Sequence, residues 1–172
     1  MKNLIPAIIF TSVLALSAQA ADVTVKISDV HLCCQSCVKG AQSAVAGVAG
    51  AKAVADEDSN TVTLTAADTA TLQKAADALV AAGFFGKSSD DSVKINADTG
   101  AKGVKVQTLK IKGVHLCCGK CVKALNDALG TVSGVKANTA AKGAESFEVT
   151  GDFNDSDVFA ALQKAGFTGK EE

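Results

Sequence analysis

The chain has 172 residues, with 17 basic side chains, all lysine, against 18 acidic ones and a formal charge of −1. Scattered lysines in a near-neutral chain exclude the concentrated basic face that a nucleic-acid protein needs. With 48 % apolar and only 4 % aromatic residues the chain is no disordered polymer, and its core has to be built from Val, Ala and Leu.

Residues 1–20 read as a secretory signal peptide. Lys2 starts it, an apolar run from Leu4 to Leu16 follows, and Ala18-Gln19-Ala20 has the small-x-small pattern of a cleavage site. The run is shorter than the roughly 20 residues a membrane helix needs, so a mature chain beginning at Ala21 is expected to be exported, periplasmic or secreted, with no membrane span after cleavage.

Val23, Val25 and Ile27 alternate with Thr24, Lys26 and Ser28, the pattern of a half-buried strand. After a Cys-containing loop, Val38, Ala41, Val45 and Val48 fall at helical spacing, in a helix starting at about Cys37. Residues 51–55 and 61–65 are short strands joined by Asp56-Glu57-Asp58-Ser59-Asn60, a solvated hairpin turn without the ligand spacing of a calcium loop. Asp68 or Thr69 can cap a second helix with the apolar face Leu72, Ala75, Ala76 and Leu79, which Gly83 ends. Residues 84–88 can form a last short strand, and Phe84, Phe85 and Phe167 are expected to plug the core.

The rest of the chain repeats this order. His31-Leu32-Cys33-Cys34-Gln35-Ser36-Cys37-Val38-Lys39 recurs 84 residues later as His115-Leu116-Cys117-Cys118-Gly119-Lys120-Cys121-Val122-Lys123. Val25, Ile27 and Val30 match Leu109, Ile111 and Val114; Val62 and Leu64 match Phe147 and Val149 after a one-residue insertion; Ala82-Gly83-Phe84 matches Ala165-Gly166-Phe167. Two tandem units result, residues 21–89 and 104–172, joined by a polar linker, 90–103, in which Val93-Lys94-Ile95 could still add a strand. Each unit runs strand, helix, strand, strand, helix, strand. The fold class is therefore α+β, two ferredoxin-like βαββαβ domains, each an antiparallel sheet with two helices on one face. Only five residues follow Phe167, so the last strand of the second unit is short.

Each Cys loop opens a helix. Cys34 with Cys37, and Cys118 with Cys121, can place two sulfurs around one ion where the helix N-terminus favours thiolate, the species that binds soft metals such as Cu(I), Zn(II) or Hg(II). A structural disulfide is the alternative for these four, since an exported protein meets an oxidising compartment. Cys33 and Cys117 are either third ligands or small half-buried residues, and His31 and His115 either structural or ligands. Lys39, Lys120 and Lys123 are solvated, or they stabilise thiolates or an acidic partner.

The order of elements and the motif resemble the heavy-metal-associated domain family of metallochaperones, metal-pumping ATPases and exported mercury-binding proteins, which carries Gly-Met-x-Cys-x-x-Cys. Leu32 and Leu116 fall on the Met position, Cys33 and Cys117 on the variable one, and Cys34, Cys37, Cys118 and Cys121 on the metal cysteines. Gly50-Ala51 and Gly134-Val135 resemble the family's Gly-Val after the first helix, whereas His31 and His115 stand where the family has Gly. The resemblance implies a protein that captures or transfers a soft metal ion, with a metal transporter or a second metal-binding domain as partner. Two other readings stand beside it. One is an interaction or structural module with oxidised cysteines. The other is a thiol–disulfide redox protein, which the absence of any Pro after Pro6 disfavours, since thioredoxin-like enzymes set a cis-Pro beside the pair. No nucleophile–base pair, phosphate loop or carboxylate dyad points to an enzyme.

Overall fold

Val25 and Ile27 turn inward from strand β1 (Val23–Ser28) and are fully buried, while the polar residues between them face solvent. The structure is a computed structural model and describes residues 21–172; the signal peptide expected at 1–20 lies outside the described residues. Helix α1 (Gln35–Ala46) buries Cys37, Val38, Ala41 and Val45. It starts two residues before Cys37, with Cys34 as its N-cap, and ends before Val48, which is half-buried in the turn beyond the helix.

The hairpin forms as its pattern requires, from β2 (Ala51–Asp56) and β3 (Thr61–Ala66). Asp56 closes its turn by accepting from the amide of Asp58 at 3.0 Å and the hydroxyl of Ser59 at 2.6 Å. Asp68 caps α2 (Thr69–Ala81) through the amide of Thr71 at 2.7 Å, and Leu72, Ala75, Ala76 and Leu79 are its buried face. The last strand of this half, β4, is only Lys87–Ser88 and not 84–88, because the backbone of Phe84 and Phe85 is engaged elsewhere. The sheet order is β2-β3-β1-β4, with every pairing antiparallel.

The second half repeats the plan with β5 (Lys105–Lys112), α3 (Gly119–Leu129), β6 (Val135–Asn138), β7 (Ser146–Asn154), α4 (Asp155–Lys164) and β8 (Lys170–Glu171), in the order β6-β7-β5-β8. Registers match across the repeat: Val25 opposes Leu64 and Ile27 opposes Val62, as Leu109 opposes Val149 and Ile111 opposes Phe147. The molecule is thus α+β with two four-stranded antiparallel sheets and four helices, compatible with two ferredoxin-like domains.

Residues 93–95 add no strand. Their backbone is claimed by a side chain instead: Gln73 on α2 donates to the carbonyl of Lys94 and accepts from its amide, both at 2.8 Å, while Val93 is buried. Further along, Asp98 pairs with Lys170 at 2.6 Å, and Asp155 accepts from the amides of Lys102 and Val104 at 2.8 and 2.9 Å. The connecting segment is therefore laid down against both halves, and a single cluster of buried apolar residues runs through both.

Candidate metal centre

Each Cys loop leaves the first strand of its half and ends on the N-cap of a helix. In the first half Asn60 braces it from the hairpin, accepting from the amide of Val30 through its carbonyl at 3.0 Å and from that of Leu32 through its side chain at 3.4 Å. In the second, Gly143 donates to the carbonyl of Leu116 at 2.7 Å. Val30 and Leu32 are buried beneath the first loop and Val114 and Leu116 beneath the second, so each loop is anchored by two apolar side chains.

The two loops face each other, and all six sulfurs converge. Within α1's start, Cys34 lies 3.7 Å from Cys37 and Cys33 3.7 Å from Cys37; the corresponding distances at α3 are both 3.6 Å. Across the halves, Cys33 lies 3.5 Å from both Cys118 and Cys121, and Cys117 lies 3.8 Å from Cys34 and 3.3 Å from Cys37. Cys37 and Cys121, both fully buried, are 3.7 Å apart, and Cys34 and Cys118 are 3.9 Å apart. The pattern is nearly unchanged when 33, 34 and 37 are exchanged with 117, 118 and 121, so the centre has an approximate two-fold symmetry. Several sets of three potential ligands fall within 4.8 Å of one another, among them Cys34 with Cys37 and Cys117, and Cys117 with Cys118 and Cys121. Such spacing suits thiolates gathered on soft cations.

The electrostatics separate the six. The amide of Cys37, and after it that of Ser36, lower the Cys34 thiol to about 7, although its sulfur makes no capping hydrogen bond. Burial pushes Cys117 up to about 12 and moves Cys33 the same way. At the buried centre, donation from Cys37 draws the Cys121 thiol down, and the same contact pushes Cys37 up. Six thiols this close therefore resist full ionisation without a cation.

The histidines fill the seam between the halves. His31 stacks on Phe167 at 4.2 Å and His115 on Phe84 at 4.4 Å, each planar pair tilted by 30°. Among the described residues the Nε2 atoms of both are buried without a hydrogen-bond partner. Burial pushes the His115 imidazole below its ordinary pKa. A ring nitrogen of His31 also lies within 4.8 Å of the sulfurs of Cys33 and Cys121. None of the three flagged lysines meets a sulfur: Lys120 reaches the carbonyl of Cys33 at 3.5 Å, Lys123 pairs with Asp127 at 2.6 Å, and Lys39 is exposed.

Phe84 and Phe167 are core residues as expected, but their core is the one between the halves. They face each other in an antiparallel bridge, with the amides of His31 and Phe85 on the carbonyl of Gly166 and the amide of Thr168 on that of Gly83. The repeated Ala-Gly-Phe is the sequence signal for this seam. Asn60 and Gly143 have no counterpart in the repeat and leave none.

No family model matches this sequence, and no curated protein matches it. Among solved structures, the N-terminal soluble domains of Bacillus subtilis CopA, a solution structure, match 89 % of this chain and 95 % of that one at 17 % identity, with a TM-score of 0.30. A likeness this low in identity and superposition carries no functional weight; the arrangement of the sulfurs does. Among the described residues, no helix is long and apolar enough to cross a membrane.

Proposed function

We propose that this is an exported soft-metal-binding protein that captures an ion such as Cu(I), Zn(II) or Hg(II) between its two Cys loops and holds it or passes it on. The observation that carries the reading is the convergence of all six sulfurs at 3.3–3.9 Å spacings. A core that needed small apolar residues would use Ala or Val. Six sulfurs held together, with Cys34 ionising near neutrality, offer a set of soft ligands that a thiophilic cation can gather as thiolates. Cys33, Cys34, Cys37, Cys117, Cys118 and Cys121 are the ligands in this reading, and His31 and His115 are packing residues beside them. The units 21–89 and 104–172 act as heavy-metal-associated-like ferredoxin domains joined by 90–103, and residues 1–20 direct export. The partner is a metal transporter or another metal-binding domain, and catalysis has no part.

The test is a native-mass titration of reduced, oxygen-free protein with each of the three ions, alongside a free-thiol count. Ion uptake that protects the thiols from alkylation is expected. Thiols found oxidised as isolated, with no uptake after reduction, would replace this reading with an interaction module stapled by disulfides.

A further inference from the structure

The way the six sulfurs divide goes beyond metal binding as such. Cys34 and Cys118 are N-caps in extended conformation, with φ, ψ of −171°, 167° and −151°, 171°. Side chains of successive extended residues leave opposite sides of the backbone, so the sulfur of Cys33 diverges from that of Cys34, and Cys117 from Cys118. The adjacent pairs close only within the looser 4.8 Å limit. The leading cysteine of each motif therefore closes on only one sulfur of its own pair, Cys33 on Cys37 at 3.7 Å and Cys117 on Cys121 at 3.6 Å.

It fits the opposite pair well. Cys33, Cys118 and Cys121 form a triangle with sides of 3.5, 3.5 and 3.6 Å. Cys117, Cys34 and Cys37 form its symmetry mate, with sides of 3.8, 3.3 and 3.7 Å. The two triangles use each of the six sulfurs once. The centre of such a triangle lies about 2.0–2.1 Å from each sulfur, so an outward shift of about 0.3 Å reaches the ~2.3 Å of a zinc–thiolate bond.

Resting on the metal-binding reading, we propose that each Cys-x-x-Cys pair takes its third ligand from the other half of the chain, Cys33 completing Cys118–Cys121 and Cys117 completing Cys34–Cys37. The first two ions then occupy two three-sulfur sites, and neither half makes such a site alone. Three thiolates per ion fall one short of the tetrahedral set zinc prefers and suit three-coordinate Cu(I). The tandem repeat has a chemical purpose on this view, since the second copy supplies the ligand the first copy cannot aim.

The experiment is a crossover. In reduced full-length chain carrying Cys34→Ser and Cys37→Ser, one ion site remains, and its third sulfur is either Cys33 from the opposite half or Cys117 from the same loop. Cu(I) is the probe, its affinity read by competition with a coloured chelator and its sulfur count by X-ray absorption. Adding Cys33→Ser is expected to weaken binding at least about tenfold and lower the count from three to two, while adding Cys117→Ser changes affinity by less than about twofold. The mirror background, Cys118→Ser with Cys121→Ser, should reverse the two, with Cys117→Ser now costly and Cys33→Ser silent. Circular dichroism of each variant verifies the fold, and the mirror set decides the matter should one background not fold. Equal effects, or the opposite order, would overturn the assignment while leaving metal binding intact. Absence of Cu(I) uptake by the unsubstituted chain would overturn both.

Discussion

The imidazole of His31 lies 4.2 Å from the ring of Phe167, centroid to centroid and tilted by 30°, so a residue two positions before Cys33 is packed on a phenyl ring from the far end of the chain. Phe84 and His115 repeat the arrangement in the opposite sense at 4.4 Å. Each stack ties the loop of one half to a phenyl ring of the other. Phe167→Leu keeps most of the apolar bulk and removes the stack, at an expected cost of about 0.5–1.5 kcal/mol in thermal or urea unfolding. Phe84→Leu should cost the same by symmetry. The two should not add, because the rings share one antiparallel bridge. Strict additivity in the double variant would mean that the stacks act separately and the seam is not one unit.

Two glycines make that seam possible. Gly83 and Gly166 have φ of 86° and 82°, and a Cβ at either would collide with backbone of the opposite loop, Gly113 and His115 for the former, Asp29 and His31 for the latter. Gly83→Ala and Gly166→Ala are each expected to lose more than about 1 kcal/mol, from left-handed backbone alone before any clash is counted. Gly119→Ala makes the matched control. It sits in the second Cys motif at the start of α3 with open space around it, and a helical Gly→Ala change should gain up to about 1 kcal/mol. Urea midpoints moving the same way for all three would sink the argument.

How much of this fold is legible in the sequence depends on which forces are local. The hairpin of β2 and β3, the Asp68 cap and the buried face of α2 are written in period-2 and period-3.6 patterns and appear where those patterns put them. Residues 84–88 read as a strand but pair as one only at Lys87–Ser88, because the amide of Phe84 closes the end of α2 on Leu79 and that of Phe85 bonds to Gly166 of the other half. Val93-Lys94-Ile95 has the character of a strand, but Gln73 takes its backbone. All six cysteines stand out in the sequence, but their convergence does not: each motif looks complete by itself, and only tertiary packing brings the two sets of sulfurs together. The placement of His31 and His115 is explained by their phenyl partners across the seam, Phe167 and Phe84, which no local pattern in the sequence announces.

The helix start gives Cys34 a reactivity of its own. With its thiol drawn to about 7 by the amides of Cys37 and Ser36, and Cys117 pushed up to about 12 by burial, iodoacetamide should modify Cys34 well ahead of Cys117 in reduced, metal-free protein at pH 7. The thiolate is the reactive form, so the Cys34 rate should rise through a midpoint near pH 7 and fall away below it. Peptide mapping by mass spectrometry at a series of pH values reads this directly. Equal labelling of the two at pH 7 would show that the α1 N-terminus does not hold a thiolate.

Asp155 fixes how the connecting segment enters the second half. Its carboxylate is 1 % exposed and accepts from the amides of Lys102, Val104 and Ser156 at 2.8, 2.9 and 2.6 Å. Burial by itself would raise its pKa, but the amides of Lys102 and Val104 outweigh that and hold it below the usual carboxylate range. A folded-state pKa below the unfolded value means that the unfolded chain binds the proton more readily. The stabilisation is therefore fully present above the unfolded pKa of about 3.9 and is lost as pH falls through the folded value beneath it. Asp155→Asn offers one acceptor oxygen where two are engaged, and at pH 7 it should cost about 1–3 kcal/mol in urea unfolding. The gap between variant and unsubstituted protein should then narrow below about pH 4, as the native carboxylate takes up its proton. A gap that stays constant from neutral pH into that range would mean that the charge on Asp155 contributes nothing and that packing alone seats residues 102–104.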